Sequence, residues 1–517
     1  MRGFVRVWLG IVCASVLALF ASAGHAARPG GGESFSDNHS SSGGSSGESH
    51  ESSSHESESS RHDSSTTSGV RSGAGGGGGG FALVMALIST AVVGLGVVIG
   101  VNNFRRRRRN ELAAWTAAAA PSATGPSTVD PERAFAAIRA RDPEFSRIVF
   151  EDLAYSLFAE VHAARGRHTL DRLAAYVEAS VRDKLADSSR RLTAVRTPVI
   201  GAMRYAAVGA EPTPQPRDLV TLVFEASYTE VSAEEEAPYF VVEQWVFARS
   251  QTARSLPPDD ERITKCPGCG APRGEDTGTS CAYCKREVGT GAFDWMVVDF
   301  SRLQHTRTGP QLEGYAPETG TSRKTILQPD AAQRWEQLAA ADPQLSWPAF
   351  EARVSLVFAE MQAGWSARRW QRVRPYLSDA LFHMQAYWIG AYRQAHLKNV
   401  LENTRITRIE ACKLVRDAHY DAITVRVFAT GLDYKVRDDG TFVSGERQRE
   451  RPYSEYWTLI RGRGVTGAPR TDGRCPACGG PLSINMAGAC EHCQAKVTSG
   501  RFDWVLSRIE QDDVYSG

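Results

Sequence analysis

The sequence predicts an α+β protein in which one domain occurs twice in tandem. Three observations support this: matching residues recur at nearly constant offsets, helical periodicity precedes strand alternation in each copy, and each copy carries the same cysteine cassette. Helices followed by strands are typical of α+β architecture, here a curved antiparallel sheet packed on the opening helices.

The first element is a secretory signal peptide at residues 1–26. Two arginines precede an apolar run over residues 7–20, and small residues follow. This pattern is typical of a signal peptide cleaved after Ala23 or Ala26, with an uncleaved membrane anchor as the alternative.

Residues 27–80 form a linker rich in Ser, Gly, His and Glu that ends in six glycines. The segment has too few apolar residues to offset the entropy lost on ordering the chain. We therefore expect it to be disordered.

A transmembrane helix is predicted at residues 81–103, where an uncharged apolar run is long enough to cross a bilayer. The basic juxtamembrane linker at 104–129 begins with five arginines, Arg105 to Arg109, which favour a cytoplasmic location for that side. Gly96 and Gly100 are spaced for helix dimerisation, so a homo-oligomer is compatible with the span. We expect a single-pass inner-membrane protein with the linker at 27–80 outside and the domains in the cytoplasm.

The charge pattern limits the partners. The arginine run favours anionic membrane lipids, and a protein partner is expected but not identified. The formal net charge is only +1, which gives no general attraction for nucleic acid.

The cytoplasmic part contains two domains, at 130–305 and 328–512. Asp142-Pro143 matches Asp342-Pro343 at an offset of 200, and Trp245 matches Trp457 at an offset of 212. The second domain has an insertion near 438–445. Each domain is expected to open with an amphipathic helix, followed by a second helix at 169–187 or 367–383. Strands are then expected at 219–228 and 423–427 and around Trp245 and Trp457, with a closing strand after each cassette.

The cassette is a pair of Cys-x-x-Cys knuckles separated by eleven residues, at 264–288 and again at 473–497. Four thiolates suit a tetrahedral zinc ion, so two zinc ribbons with two structural zinc ions per chain are predicted. A pair of disulfides and a redox Cys-x-x-Cys are the alternatives, and a reducing cytoplasm disfavours disulfides. The predicted ligands are Cys266, Cys269, Cys281 and Cys284 in the first ribbon, and Cys475, Cys478, Cys490 and Cys493 in the second.

The second domain resembles a known family in the run Met361-Gln362-Ala363-Gly364-Trp365, in Trp370 and in Val373-Arg374-Pro375-Tyr376. These residues look like the C-terminal domain of the mitochondrial import-motor anchor (the forty-four-kilodalton subunit of the translocase of the inner membrane) and its bacterial relatives. The resemblance implies cone-shaped domains like nuclear transport factor two, membrane association, and binding of acidic lipid and protein partners. The first domain departs from the motif at Val161-His162-Ala163, and the ribbon is not part of the mitochondrial domain.

No catalytic constellation is predicted. Six acids recur in the two domains, either as general bases within the cone or as ordinary charges on helices and strands: Glu160, Glu360, Glu243, Glu455, Asp294 and Asp503. The sequence therefore favours a non-enzymatic scaffold that binds protein or lipid and contains structural zinc. The alternative is an enzyme or small-molecule receptor that uses the cone as a ligand pocket.

Overall fold

The computed structural model describes residues 25–28, 31–34, 131–211, 214–258, 262–274, 278–310, 312–313, 318, 320–512, 515 and 517. The predicted transmembrane helix and basic linker lie outside these residues, as does most of the predicted signal peptide. Among the helices that are described, none has the length and apolar character needed to cross a membrane.

A short hairpin lies near the amino terminus, where β1 (His25–Arg28) pairs antiparallel with β2 (Gly31–Ser34). The sequence prediction placed the end of the signal peptide and the start of a disordered linker here, so the pairing differs from it. The rest of that linker, residues 35–80, is outside the described part of the chain.

The first domain places four helices before a four-stranded antiparallel sheet of order β3-β4-β5-β6. The helices are α1 (Pro131–Ala134), α2 (Ala136–Arg141), α3 (Arg147–Arg167) and α4 (Ala179–Asp187). The strands are β3 (Leu192–Glu211), β4 (Arg217–Ser232), β5 (Glu236–Ser250) and β6 (Met296–Arg307).

The second domain follows the same plan with one helix fewer, because a single helix stands where the first domain has α1 and α2, and its sheet runs β7-β8-β9-β10. The helices are α5 (Ala331–Ala341), α6 (Trp347–Ser366) and α7 (Asp379–Gln394). The strands are β7 (Leu397–Arg416), β8 (Tyr420–Arg437), β9 (Phe442–Gly462) and β10 (Val505–Gln511). The predicted mixed helix and sheet architecture is thus confirmed, with two antiparallel sheets.

The long helices begin where the sequence supplies a cap. Ser146 Oγ accepts the Val149 amide at 3.2 Å before α3, and Ser346 Oγ accepts the Ala349 amide at 3.3 Å before α6. Each bond satisfies one of the orphan amides of a first helical turn. Helix α3 ends at His168, whose backbone is left-handed with φ of 56°.

The predicted second helices, 169–187 and 367–383, are wrong as single elements. In each domain a 3-10 turn, Leu170–Leu173 or Trp370–Tyr376, comes first, and the α-helix begins only after a short extended segment. That extended segment pairs with the closing strand, through Val177 and Val297 in the first domain and through Leu377 and Leu506 in the second. A strand bridge and a helical backbone exclude each other, so the helix is interrupted.

The concave face of each sheet packs on its long helix. In the first domain Phe158 contacts Phe224 and Trp245, with ring centroids 5.0 and 5.4 Å apart. Trp295 and Trp504, just before the closing strands, are also part of the cores: they are 2% and 0% exposed. Burial of a side chain as large as Phe stabilises a fold by about 1.5–3 kcal/mol, so these aromatic clusters contribute a large share of the core.

The two domains pack on each other. Val149 of α3 joins an apolar cluster with Tyr420, Ile460 and Val505 of the second domain. The core of the second domain also includes four side chains from the first sheet, Val199, Val223, Phe240 and Val242. Helix α7 of the second domain contacts strand β3 of the first.

Candidate metal centres and buried polar network

The eight predicted ligands form two clusters at equivalent places in the fold. The first cluster lies between β5 and β6, and the second lies between β9 and β10. Within each cluster all four sulfur atoms lie within 4.8 Å of one another. Each predicted quartet is therefore assembled from one continuous stretch of chain.

The sulfur spacing fits a tetrahedral metal. Zinc–sulfur bonds of about 2.3 Å at tetrahedral angles place the sulfur atoms about 3.8 Å apart. The structure has 3.9 Å between Cys266 and Cys284 Sγ, 3.8 Å between Cys269 and Cys281 Sγ, and 4.0 Å between Cys475 and Cys493 Sγ. Every cysteine in the described part of the chain has a free thiol, so the disulfide alternative does not describe this structure.

Each knuckle is a tight turn that directs amides at sulfur. The Gly268 amide donates to Cys266 Sγ at 3.3 Å, and the Tyr283 amide donates to Cys281 Sγ at 3.4 Å. Both turns of each cluster end in a left-handed residue, which is glycine in the first turn, with φ of 74° at Gly270 and Gly479. Glycine adopts this conformation without a Cβ penalty, which explains why both first turns end in glycine.

The backbone favours the thiolate of one cysteine in each cluster, whereas burial raises the pKa of Cys266 and Cys475. The Cys284 amide, with the Tyr283 amide, lowers the pKa of the Cys281 thiol. Burial raises the pKa of Cys490, but the amides of Cys493 and His492 outweigh burial and lower it overall. Such thiols lose their protons readily to a metal.

Cations near the clusters make specific contacts. Arg286 NH1 donates to the Gly268 carbonyl at 3.4 Å, and Arg474 NH1 donates to the Gly479 carbonyl at 3.1 Å. Both arginines therefore brace the first knuckle of their own cluster. His492 is exposed within its knuckle.

The two ribbons are fastened to their domains differently. In the first domain Arg262 binds both carboxylate oxygens of Asp294, and the Tyr176 hydroxyl donates to the Arg262 carbonyl at 2.8 Å. In the second domain, Lys496 and Thr498, just after the last cysteine, bind Asp379 at the start of α7.

Of the six recurrent acids, one pair lies at the surface and two pairs are buried. Glu160 and Glu360 form surface ion pairs with Arg167 and Arg372, in line with an ordinary helix charge. Asp294 and Asp503 are buried, and each accepts the amide of the tryptophan that follows it, at 2.7 and 2.8 Å. Glu243 and Glu455 are buried in the concave cores, where each accepts an indole N–H, from Trp245 at 3.1 Å and from Trp457 at 2.9 Å.

Glu243 belongs to a polar network in the first domain. His162 Nε2 lies 3.0 Å from Glu243 Oε2, and both side chains are 0% exposed. Arg165 NH1 lies 2.8 Å from His162 Nδ1, and Arg302 Nε donates to Glu243 Oε1 at 3.2 Å. The sequence singled out Glu243 but gave no indication of this network, although His162 lies beside Val161 on the apolar face of α3.

The contacts define the protonation of His162. A guanidinium only donates, so Nδ1 must accept from Arg165 and Nε2 must carry the proton given to Glu243. Burial is the main cause of the lowered pKa of His162, and Arg165 lowers it further. His162 is therefore neutral, and it is packed against Phe158 and Tyr228 at 4.4 and 4.6 Å between ring centroids.

The second domain replaces this charged network with neutral donors. Gln362 and Gln511 occupy the positions of His162 and Arg302, at offsets of 200 and 209. Gln511 Nε2 donates to Glu455 Oε1 at 3.1 Å, and Gln362 Nε2 lies 3.4 Å from the Tyr453 hydroxyl. The two domains thus share a buried carboxylate and a buried tryptophan, but they differ in the charge of the other buried side chains.

Comparison with known proteins yields one family match. Residues 331–471 match the model of the Tim44-like domain, from the first residue of α5 to just before Cys475. No curated protein matches the chain significantly. The first domain and both cysteine clusters lie outside the matched residues. The match to the second domain, with its helices and antiparallel sheet, supports a Tim44-related family for this chain.

Proposed function

We propose that this chain is a single-span membrane protein whose two Tim44-like domains form a scaffold for a protein or lipid partner, with one structural zinc in each ribbon. The family match covers the second domain only. The equivalent order of strands and the equivalent contacts of Trp245 and Trp457 support extending it to the first.

The observation that carries the proposal is the closed set of four thiols in each cluster. Four sulfur atoms within 4.8 Å of one another complete a tetrahedral shell and leave no position for water or substrate. Such a centre holds the chain in shape. We assign these zinc ions a structural role.

The proposed location is the cytoplasmic face of the inner membrane. Its support is the sequence alone, namely the apolar run at 81–103 and the arginines that follow it. A reporter fused after Gly517 should be active only in the cytoplasm, and activity only outside would overturn this topology. Neutral residues in place of the five arginines should weaken the orientation.

The scaffold is tested by recovery of the tagged full-length chain from its own membranes. We expect a specific protein or an anionic lipid to be recovered, and to be lost when Trp365 and Trp370 are each replaced by Ala. Those two side chains are buried, with ring centroids 6.0 Å apart, so circular dichroism must confirm that the variant is folded. Turnover of a small substrate by the unmodified chain would overturn the scaffold.

One observation favours a second candidate, a small-molecule receptor. A groove of about 330 Å³ lies between the two domains, with Leu153, Ile200 and Met384 among its apolar lining and Asp379 and His383 at its polar side. Ligand pockets of this size occur often at domain interfaces. Stabilisation of the chain against heat by a metabolite, lost in Met384→Trp, would favour the receptor.

A further inference from the structure

The second ribbon is tied to helix α7 by a compact polar cluster. Lys496 Nζ lies 2.6 Å from Asp379 Oδ2, and Thr498 Oγ1 donates to Asp379 Oδ1 at 3.0 Å. Arg374 also binds Asp379 and donates from Nε to the Met486 carbonyl at 3.0 Å. Three side chains therefore join the chain on both sides of Cys490 to Asp379, the first residue of the helix.

The cluster is held in place from the ribbon side. Ala489 and Lys496 are bridged across the last knuckle, and the Cys490 amide donates to the Ala495 carbonyl at 2.9 Å. Lys496 is only three residues from Cys493. The position of its ammonium group therefore depends on the turn that the metal closes.

The middle of α7 contacts the first domain. The Tyr387 hydroxyl bonds to Ser227 of β4, and Met384 lines the groove together with Val199 of β3. Val199 belongs to the same apolar cluster as the α7 residues Trp388 and Ile389. Helix α7 is thus a rigid link from the second ribbon to the sheet of the first domain.

Among the described residues of the first ribbon, 264–274 and 278–288, no such link is present. Ala174, Ala179, Glu287 and Gly289 stand where the second domain has Arg374, Asp379, Lys496 and Thr498. Contact there is made by close backbone approach, since a Cβ on Gly289 would lie 2.8 Å from the Ala174 carbonyl oxygen. The two centres are alike in their ligands but differ in what they hold.

We infer that metal occupancy of the second centre controls the docking of helix α7 on the first domain, and that occupancy of the first centre does not. The inference rests on the proposed zinc content. Loss of the second metal opens the last knuckle, removes Lys496 and Thr498 from Asp379, and loosens the start of α7. The groove between the domains widens as a result.

The test is hydrogen exchange on the unmodified full-length chain and four variants of it, with zinc content measured on each sample. Cys493→Ser should lose one zinc and raise amide exchange over residues 380–387 and 199–203 by about tenfold or more. Cys284→Ser, the matched ligand of the first ribbon, should lose one zinc without that change. Equal acceleration in both, or no acceleration in Cys493→Ser, would overturn the inference.

Asp379→Asn separates the link from the metal, because it leaves all eight ligands in place. We expect both zinc ions to be retained and exchange over 380–387 to rise, while Glu360→Gln, a surface carboxylate bound to Arg372, has no effect. Unchanged exchange in Asp379→Asn, with strands β8 and β9 still protected, would contradict the link. An unmodified chain without zinc would overturn both this inference and the proposed structural zinc.

Discussion

Glu151 of helix α3 and Arg508 of strand β10 form an ion pair across the boundary between the two domains. The Tyr205 hydroxyl donates a second hydrogen bond to Glu151 at 2.8 Å. The corresponding residues, Glu351 and Asp299, are both acidic and do not reproduce the pair. The contact therefore belongs to the packing of the two domains and not to the domain fold.

Glu151→Gln should destabilise the fragment 130–517. The substitution leaves Arg508 beside a neutral amide. Because the Arg508 side chain is 28% exposed, we expect the free energy of unfolding to fall by about 2–3 kcal/mol, which is below the range for fully buried pairs. Burial raises the pKa of Glu151, but Arg508 and Arg147 outweigh it and lower the pKa below 4.5. The stabilisation is thus complete above that value and is lost as the pH falls through the folded pKa.

Denaturant unfolding measures this change. Glu351→Gln, at the equivalent position of the second domain, is the control and should alter stability by less than about 0.5 kcal/mol. Equal losses in the two variants would contradict a specific role for the pair.

His162 should make stability depend on pH. Its pKa is lowered in the folded protein, so the unfolded chain binds the additional proton as pH falls below the ordinary histidine value of 6.5. Stability should therefore fall as the pH decreases from about 7 to about 5. His162→Gln, which introduces the residue found at position 362, should reduce that slope.

The measurement is the denaturation midpoint at several pH values. His396→Gln serves as the control, because the His396 side chain is 82% exposed. A slope unchanged by His162→Gln would show that this histidine is not buried neutral.

Zinc content should follow the two clusters independently. The unmodified chain should contain two zinc ions, while Cys269→Ser and Cys478→Ser should each contain one, because each quartet is local. Cys412→Ser is the control and should retain both, since Cys412 belongs to neither cluster. Elemental analysis showing less than one zinc in the unmodified chain would refute the assignment.

Binding to anionic vesicles should depend on the arginine run. Each arginine near an anionic surface contributes about 1 kcal/mol, so fragment 104–517 should bind about a hundredfold or more tightly than fragment 130–517. Rising salt should weaken the binding of the longer fragment. Vesicle flotation measures both effects, and equal binding of the two fragments at low salt would remove the lipid from the proposal.

Much of the architecture was accessible from sequence because it depends on local patterns. Apolar periodicity indicated α3 and α6, and the extra residues near 438–445 occupy the turn after β8 and the first residues of β9. Strands β3 and β7 were missed. Each contains several register shifts against its neighbour, and a bulge interrupts the alternation that reveals a strand.

The grouping of the eight cysteines into two quartets was predicted residue by residue because all four thiols of each quartet lie in one short segment. The network around His162 was not predicted, because its members come from α3, β5 and β6. Sequence spacing carries no information about such a meeting of distant segments. The link between Lys496 and Asp379 was missed for the same reason.

Both ribbons interrupt the chain just before the closing strand of a sheet. Strand β6 pairs with β5, although the whole segment between Ser250 and Met296 separates them in sequence. A segment of comparable length separates β9 from β10, which also pair. A metal that closes the ribbon shortens the loop that must form, so zinc supply should set the rate at which the last strand is added. A chain synthesised under zinc starvation would expose the unpaired edges of β5 and β9, and such edges promote aggregation.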